Sequence, residues 1–207
     1  MNRQPTPLYL ASGSSRRGDL LRERGLAFEQ VAPPFDDTGI TLDGAGPPRA
    51  SEALAYLKAT SVADELDAGV VVGCDTVVMH AGLVYGKPRD LDDARAMLTA
   101  LIGGEHEVVT GVAIVEADGP RAAIFHVTVG VRIGSVEPAA LEAYLEAGHW
   151  AGKAGGYNLA ELEGAWPFEI EGDPTTVVGL PVEAVMGRLG AFAEGRAGGT
   201  GAERSGA

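Results

Sequence analysis

Residues 70–79, which read VVVGCDTVVM, constrain the fold more than any other part of the chain. A run that is apolar almost throughout is typical of a strand covered on both faces, and such strands lie in sheets flanked by helices. The run therefore predicts an α/β fold in which this strand is buried within the sheet.

Asp75 interrupts this strand. An ionised carboxylate in so apolar a segment is costly unless it is paired, bound to a metal or facing a cleft. Asp75 is therefore a candidate general base, acting on water directly or through a divalent cation that it helps to bind. A structural aspartate bonded to backbone amides is the alternative. Thr76 is expected on the opposite face of a regular strand.

The rest of the chain predicts alternating strands and helices. Apolar periodicity and turn signals indicate strands at 8–11, 28–31, 107–115, 122–133 and 168–171, and helices that end near Gly25 or cover 49–66, 90–103, 138–148 and 181–193. Ser51 is a possible cap of the second helix. A long loop is expected over 33–48, one catalytic domain over 1–193, and a disordered tail over 194–207.

Composition limits the classes of function. The formal charge of −13 argues against a nucleic-acid binder, so a phosphate site in this chain must be built locally from a few clustered arginines and lysines. The single cysteine, Cys74, excludes an internal disulfide, and we expect a buried free thiol. Because no apolar segment is long enough for a signal peptide or a membrane span, a cytoplasmic protein is expected.

The segment 12–17, SGSSRR, has the features of an anion site. A Ser- and Gly-rich turn exposes backbone amides at the start of a helix, and two arginines follow at once. Ser12, Ser14, Arg16 and Arg17 are therefore candidate phosphate ligands. The alternative is a serine-capped helix with solvated arginines. The spacing is not that of a Walker phosphate loop, because no lysine follows the glycine.

Other charged residues are ambiguous by sequence alone. Lysines in suggestive contexts are Lys58, Lys87 and Lys153, although a surface lysine is the ordinary explanation for each. Loop carboxylates that could bind a metal or cap a turn are Asp36, Asp37 and Asp173. The four histidines show no metal-ligand spacing.

Five separated motifs together resemble the Maf family of nucleoside triphosphate pyrophosphatases. These motifs are LASGSSRR at 10–17, GCDTVV at 73–78, GKP at 86–88, KAGGY at 153–157 and VVGLP at 177–181. The resemblance implies a mixed, twisted sheet with flanking helices in two lobes around a central cleft. It also implies Mg²⁺ or Mn²⁺ dependence, cleavage between the α and β phosphates to give a nucleoside monophosphate and pyrophosphate, and a homodimer.

The resemblance also implies roles for individual residues. Asp75 corresponds to the proton acceptor, with Asp37 as a further metal-binding position, and Arg16 and Arg17 correspond to the phosphate-binding pair. The lysines that would line the cleft are Lys58, Lys87 and Lys153.

Base specificity divides the family. Arg16 and Thr76 match the members specific for dTTP and UTP rather than those that prefer a 7-methylated guanine nucleotide. Ala160 stands where the pyrimidine-specific members have glutamine.

Three other functions stay open at this point. A 7-methyl-GTP pyrophosphatase of the same family is the first, and nucleotidyl transfer is the second, although no lysine follows Arg17 until Lys58. The third is a nucleotide-binding regulator of cell division with weak hydrolysis. Product analysis and substitution of Asp75 would separate these alternatives.

Overall fold

The computed structural model of the chain describes residues 6–35 and 46–197. Its strands are β1 (Leu8–Ala11), β2 (Glu29–Val31), β3 (Val70–His80), β4 (Leu83–Tyr85), β5 (Glu105–Glu116), β6 (Ala122–Ile133) and β7 (Phe168–Glu171). Its helices are α1 (Ser15–Glu23), α2 (Pro47–Ala63), α3 (Leu91–Leu101), α4 (Pro138–Glu146), α5 (Leu159–Leu162), α6 (Pro174–Val178) and α7 (Val182–Ala197), and a 3₁₀ turn covers Ala154–Gly156. None of the helices in these two segments is long and apolar enough to cross a membrane.

The strands form one mixed sheet, which confirms the predicted α/β class. The order is β2-β1-β3-β5-β6-β7, and β4 also pairs with β3. The pairs β1–β2 and β1–β3 are parallel, whereas all the others are antiparallel. Strand β1, which has parallel neighbours, is followed directly by helix α1. In α/β sheets, ligands commonly bind at the carboxyl ends of such strands.

A gap in the pairing lies beside the middle of β3. The β1–β3 ladder ends where Ala11 faces Gly73, and the β3–β4 ladder begins only where Val78 faces Tyr85. Among the described strands, none pairs with residues 74–77 on this side of β3. The gap leaves an opening in the sheet directly beside Asp75.

The core confirms that β3 is buried on both faces. Val70, Val72 and Cys74 pack towards α1 and α7, in a cluster that includes Leu21 and Val185. The alternate position Val71 packs on α2 through Ala55 and Ala59. A further cluster, which contains Val78, Leu98 and Leu145, covers the other end of the long strands. Apolar packing is thus divided between the two ends of the long strands, as a two-lobed fold requires.

Two glycines let α2 approach the sheet closely. A Cβ atom at Gly73 would lie 2.3 Å from the carbonyl oxygen of Ala55, and one at Gly111 would lie 2.3 Å from the carbonyl carbon of Ser51. Such separations are too short for any side chain, so glycine is required at both positions. The close approach fixes α2 over β3 and brings Lys58 on that helix to the level of Asp75.

The prediction that Ser51 caps the second helix is wrong. Helix α2 begins at Pro47 after Gly46, and Ser51 is buried inside it with its hydroxyl donating to the carbonyl oxygen of Pro48. Proline is favoured in the first turn of a helix, where its missing N–H is not needed, and the Pro47–Pro48 pair therefore marks the start.

Other elements differ less from the sequence-based expectation. The short helices α5 and α6 were not expected, and α7 continues to Ala197. The loop predicted over 33–48 is shorter than expected, because α2 begins at Pro47, and residues 36–45 lie outside the described residues. The prediction of a disordered tail over 194–207 is wrong for residues 194–197, which belong to α7, and the rest of the tail lies outside the described residues.

Candidate functional site

A cleft opens at the gap beside β3. A cavity of 450 Å³ extends from the segment 12–17 to the loop around Lys153, and a narrower one of 80 Å³ continues from it down to Asp75. We call this space the basic cleft and define it by the cationic residues that line both cavities, Arg16, Arg17, Lys58, Lys87 and Lys153. A larger cavity of 690 Å³ at the far end of the sheet contains none of the predicted site residues.

All the lysines of the chain line the basic cleft. The sequence contains three lysines, at positions 58, 87 and 153, against a net charge of −13. They come from α2 and from two separate loops, and only the fold brings them together. The cleft therefore concentrates positive charge in an acidic protein, as a site for an anion requires.

The segment 12–17 forms a braced turn at the start of α1. The side-chain amide of Gln30 donates to the carbonyl oxygens of Ser12, at 2.8 Å, and Ser14, at 2.9 Å. The hydroxyl of Ser12 accepts a hydrogen bond from the backbone N–H of Ser14. Ser14 is the N-cap residue of α1, but its side chain makes no capping hydrogen bond. The side chain of Ser14 therefore does not satisfy the first backbone amides of α1, which a bound anion could do instead.

The two arginines of this segment have different surroundings. Arg16 donates to Oδ1 of Asn158 at 3.1 Å, and its pKa is lowered by burial and by the neighbouring charge of Arg17. Arg17 donates through Nη1 to the carbonyl oxygen of Cys74 at 3.0 Å and through Nη2 to Oγ1 of Thr76 at 3.1 Å. Arg16 is thus held at one point beside the cleft, while Arg17 is bonded to the strand that carries Asp75.

Asp75 and Lys58 form a buried ion pair at the floor of the cleft. Nζ of Lys58 lies 2.6 Å from Oδ1 of Asp75, with exposures of 9% and 7% for the two residues. A buried carboxylate is stable only when a nearby cation or hydrogen-bond donor compensates its charge. Lys58 supplies this compensation from α2. Thr76 contacts Arg17 on the other face of β3, as regular alternation predicts.

The loops that carry Lys87 and Lys153 are joined to each other. The backbone N–H of Gly155 donates to the carbonyl oxygen of Gly86 at 3.0 Å. Gly155 has a φ of 70°, and a Cβ atom there would lie 2.9 Å from the side chain of Val78. Burial, and then the charge of Arg16, lower the pKa of Lys153, so this ammonium is partly withdrawn from solvent and close to another cation.

Sequence reasoning missed several residues that shape the site. Gln30 braces the turn, Asn158 meets Arg16, and Thr110 hydrogen-bonds Thr76 at 3.0 Å. The only available signal was the unusual polarity of Thr110 within an apolar strand. Gln30 and Asn158 carry no local signal, because their partners are distant in sequence.

The candidate carboxylates other than Asp75 lie elsewhere. Asp173 caps α6, where its Oδ1 accepts from the backbone N–H of Thr175 at 2.9 Å. Asp36 and Asp37 lie outside the described residues. Within the described ranges, no group of three or more histidine, cysteine, aspartate or glutamate side chains could hold a metal ion.

Comparison with known proteins adds to this geometry. The model of the family described as Maf-like protein matches residues 7–192. A dTTP/UTP pyrophosphatase of Ruminiclostridium cellulolyticum is 36% identical over 187 residues, which cover 90% of this chain and 94% of that protein. A dTTP/UTP pyrophosphatase of Salinibacter ruber is 39% identical over 88% of this chain and 89% of that protein.

A solved structure shows only a remote likeness. It is the crystal structure of a nucleoside-triphosphatase, or dITP/XTP pyrophosphatase, from Mycobacterium abscessus, with a TM-score of 0.40 and 15% identity. The similarity covers 63% of this chain and 75% of that chain, and it supports no conclusion about activity.

Proposed function

This chain belongs to the Maf family, and we therefore propose that it hydrolyses nucleoside triphosphates to the nucleoside monophosphate and pyrophosphate, with a preference for dTTP and UTP. The observation that carries the proposal is the buried Lys58–Asp75 pair at the floor of a cleft that all three lysines line. A carboxylate beneath a ring of cations is the arrangement that hydrolysis of a polyanion needs.

The cationic residues would hold the triphosphate. Arg16 offers a planar donor group that matches phosphate oxygens, while Lys58, Lys87 and Lys153 offer compact charges. The turn itself would contribute backbone amides, and a Cβ atom at Gly13 would meet no atom of the described residues within 4 Å. A glycine at this position would let a phosphate approach the backbone closely.

Asp75 would act as the general base. It would take a proton from a water molecule whose oxygen forms a bond to the α phosphorus. The bond between that phosphorus and the bridging oxygen would break, and pyrophosphate would leave with the electron pair. Lys58 holds the carboxylate in place and, with the other cations, would stabilise the charge that develops on the phosphates.

Asp75 would offer one carboxylate oxygen, Oδ2, to a divalent cation that arrives with the nucleotide. Oδ1 of Asp75 is engaged by Lys58, and no described residue hydrogen-bonds Oδ2. Mg²⁺ in phosphate sites is usually bound by one or two carboxylates together with substrate phosphates. We propose Asp75 and Asp37 as its protein ligands, for Mg²⁺ or Mn²⁺. Such an ion would neutralise phosphate charge and lower the barrier to attack.

Recognition of the base would depend on Asn158. Arginine can only donate hydrogen bonds, so the side-chain oxygen of Asn158 must face Arg16 and its NH₂ group must point the other way. This NH₂ group has no hydrogen-bond partner among the described residues. A free amide donor suits the carbonyl oxygen of uracil or thymine better than the amino group of cytosine. Ala160 lines a neighbouring cavity with Trp166 and can make no such bond.

The organisation of the protein is part of the same proposal. We propose one catalytic domain over 1–193, a homodimer, and a cytoplasmic location. A single cysteine that is buried as a free thiol is compatible with a reducing compartment. Light scattering after size-exclusion chromatography would test the dimer.

Product analysis of the wild type and Asp75→Asn tests this function. We expect wild-type enzyme with Mg²⁺ and UTP to release UMP and pyrophosphate, and Asp75→Asn to bind UTP but turn over at least about 100-fold more slowly. Asp67→Asn, at an exposed position, is the matched control and should be unaffected. Release of UDP and phosphate would refute the proposed cleavage. Unchanged turnover in Asp75→Asn would exclude Asp75 as the base.

A nucleotide panel tests the substrate. Comparison of kcat/KM for dTTP, UTP, CTP and 7-methyl-GTP should favour the first two. Preference for 7-methyl-GTP would assign the chain to the other specificity class, and CTP hydrolysed as well as UTP would exclude the proposed role of Asn158.

A further inference from the structure

Arg17 makes contacts that a phosphate ligand does not need. Its Nη1 donates to the carbonyl oxygen of Cys74 and, at 3.4 Å, to Oγ of Ser12, and its Nη2 donates to Oγ1 of Thr76. Its Nε is buried and has no hydrogen-bond partner among the residues that the structure describes. Most of this guanidinium is therefore used within the protein, whereas Arg16 makes one side-chain hydrogen bond within the described part of the chain.

The partners of Arg17 flank Asp75 on both sides in sequence. Cys74 and Thr76 belong to the part of β3 beside which neither β1 nor β4 pairs. A strand segment without a neighbour on one side has unsatisfied backbone groups and freedom to move. Arg17 takes the place of the missing neighbour at this point, since it bonds the backbone of one flanking residue and the side chain of the other.

The hydrogen bonds that continue from Thr76 have a defined direction. Thr110 donates its only hydroxyl proton to the carbonyl oxygen of Thr176 at 2.8 Å. In the 3.0 Å contact between Thr76 and Thr110, the donor must therefore be Thr76. Arg17 can only donate to Thr76, so the chain runs from Arg17 through Thr76 and Thr110 to α6. The hydroxyl proton of Thr76 is consequently unavailable to a substrate.

Gly179 closes over this network. A Cβ atom there would lie 2.9 Å from Nε and Nη2 of Arg17 and 3.0 Å from Oγ1 of Thr76, and the residue has a φ of 104°. Both the backbone conformation and the available space thus require glycine after α6. Thr110 is fully buried, so the network is enclosed by the protein at its inner end.

We propose that Arg17, Thr76 and Thr110 are positioning residues, which form a clamp that holds β3 so that Asp75 meets Lys58, and that Arg16 is the arginine of the pair that contacts the phosphates. The proposal rests on the proposed function, in which Asp75 is the base. It predicts that damage to the clamp lowers kcat, because the base is misplaced, and leaves substrate affinity nearly unchanged.

Two matched glutamine variants test whether Arg17 positions the base while Arg16 binds the phosphates. We expect Arg17→Gln to lower kcat by about 10- to 100-fold with KM within about threefold of wild type. Arg16→Gln should mainly raise KM. A large rise in KM at unchanged kcat for Arg17→Gln would overturn the proposal, because it would make Arg17 an ordinary phosphate ligand.

Thr110→Val and Thr110→Ser provide a test that keeps the charge of Arg17. Valine is nearly isosteric with threonine but cannot accept the proton of Thr76, so kcat should fall about tenfold with little change in KM. Serine keeps the hydroxyl and should restore most of the rate. Equal kcat values for wild type and Thr110→Val would refute the clamp. Equal losses in Thr110→Val and Thr110→Ser would refute it as well, since packing would then explain both.

A structural readout separates this proposal from the proposed function. If wild-type enzyme releases no pyrophosphate, the proposed function fails, and crystal structures of wild type, Arg17→Gln and Thr110→Val still test the clamp. We expect the 2.6 Å contact between Lys58 Nζ and Asp75 Oδ1 to lengthen beyond hydrogen-bond distance in at least Arg17→Gln. Retention of this contact in both variants would overturn the clamp whatever the enzyme hydrolyses.

Discussion

Replacing Gly73 by alanine should lower activity by displacing α2, the helix that carries Lys58. This helix lies on the face of the sheet opposite to Arg17. The added Cβ would lie 2.3 Å from the carbonyl oxygen of Ala55 and 2.9 Å from the backbone nitrogen and Cβ of Ala59. All three atoms belong to the body of α2, so no flexible side chain can turn away from the methyl group. Relief of the clash requires α2 and β3 to separate.

The size of the movement follows from these distances. Ordinary van der Waals contact begins at 3.4 Å, so α2 must retreat by about 1 Å. Lys58 lies on the same helix, one turn beyond Ala55, and its 2.6 Å contact with Asp75 would open to about 3.6 Å, beyond hydrogen-bond distance. Overpacking of this kind costs about 1–3 kcal/mol of stability. A displacement of about 1 Å at a catalytic group costs about 100-fold in kcat.

Urea denaturation and steady-state kinetics with UTP measure the two effects. Gly187→Ala is a suitable control, because a Cβ atom at this exposed position of α7 would meet no atom within 4 Å. The control should match or slightly exceed wild-type stability and keep full activity. Wild-type kcat in a stably folded Gly73→Ala variant would refute the reasoning that close packing of α2 sets the Lys58–Asp75 pair.

Two further predictions concern buried titratable groups. Burial lowers the pKa of His106 to about 4 from its ordinary 6.5, so the unfolded chain binds the proton more readily, and up to about 3 kcal/mol of stability should be lost as the pH falls from 6.5 to 4. Urea titrations across this pH range should show a smaller loss of the free energy of unfolding for His106→Gln than for wild type. Equal losses in the two proteins would contradict the lowered pKa of His106. Burial raises the pKa of Cys74 to about 11, so a thiol reagent at pH 8 should modify it only after unfolding; rapid modification of native protein would show that it is accessible.

Local sequence signals predicted most of the regular structure. The apolar run of β3 predicted burial on both faces because its alternate residues meet helices on opposite sides. Asp90 and Asp93 predicted the start of α3, where Asp90 accepts a hydrogen bond from the backbone N–H of Asp93. Helix α2 begins before the predicted cap Ser51, because Pro47 and Pro48 can occupy the first turn of a helix and start it here.

The short helices α5 and α6 were missed for a different reason. Segments of four or five residues carry too little periodicity to be distinguished from turns. Helix α6 depends on Asp173 at its start and on the left-handed Gly179 at its end. From the sequence, Asp173 was expected only to bind a metal or cap a turn, and Gly179 was noted only as part of the VVGLP motif.

The sequence by itself determined which residues need a partner or a ligand in the folded protein. A carboxylate in an apolar strand and paired arginines at the start of a helix are each costly without a partner, and this cost can be recognised without knowledge of the fold. The resemblance to the Maf family, and with it the expected hydrolysis of nucleoside triphosphates, followed from these residues taken together with the lysine-bearing loops.

Only the tertiary structure decided which partner each charged group has. Arg16 and Arg17 are neighbours in sequence and equivalent by type, yet one reaches Asn158 beside the cleft and the other bonds Cys74 and Thr76 on β3. These partners lie 142, 57 and 59 residues away, so local preferences cannot select them. The partners depend on where the strands end, on where glycines let a helix approach the sheet, and on which side of the sheet lacks a neighbouring strand. These are properties of the packed chain.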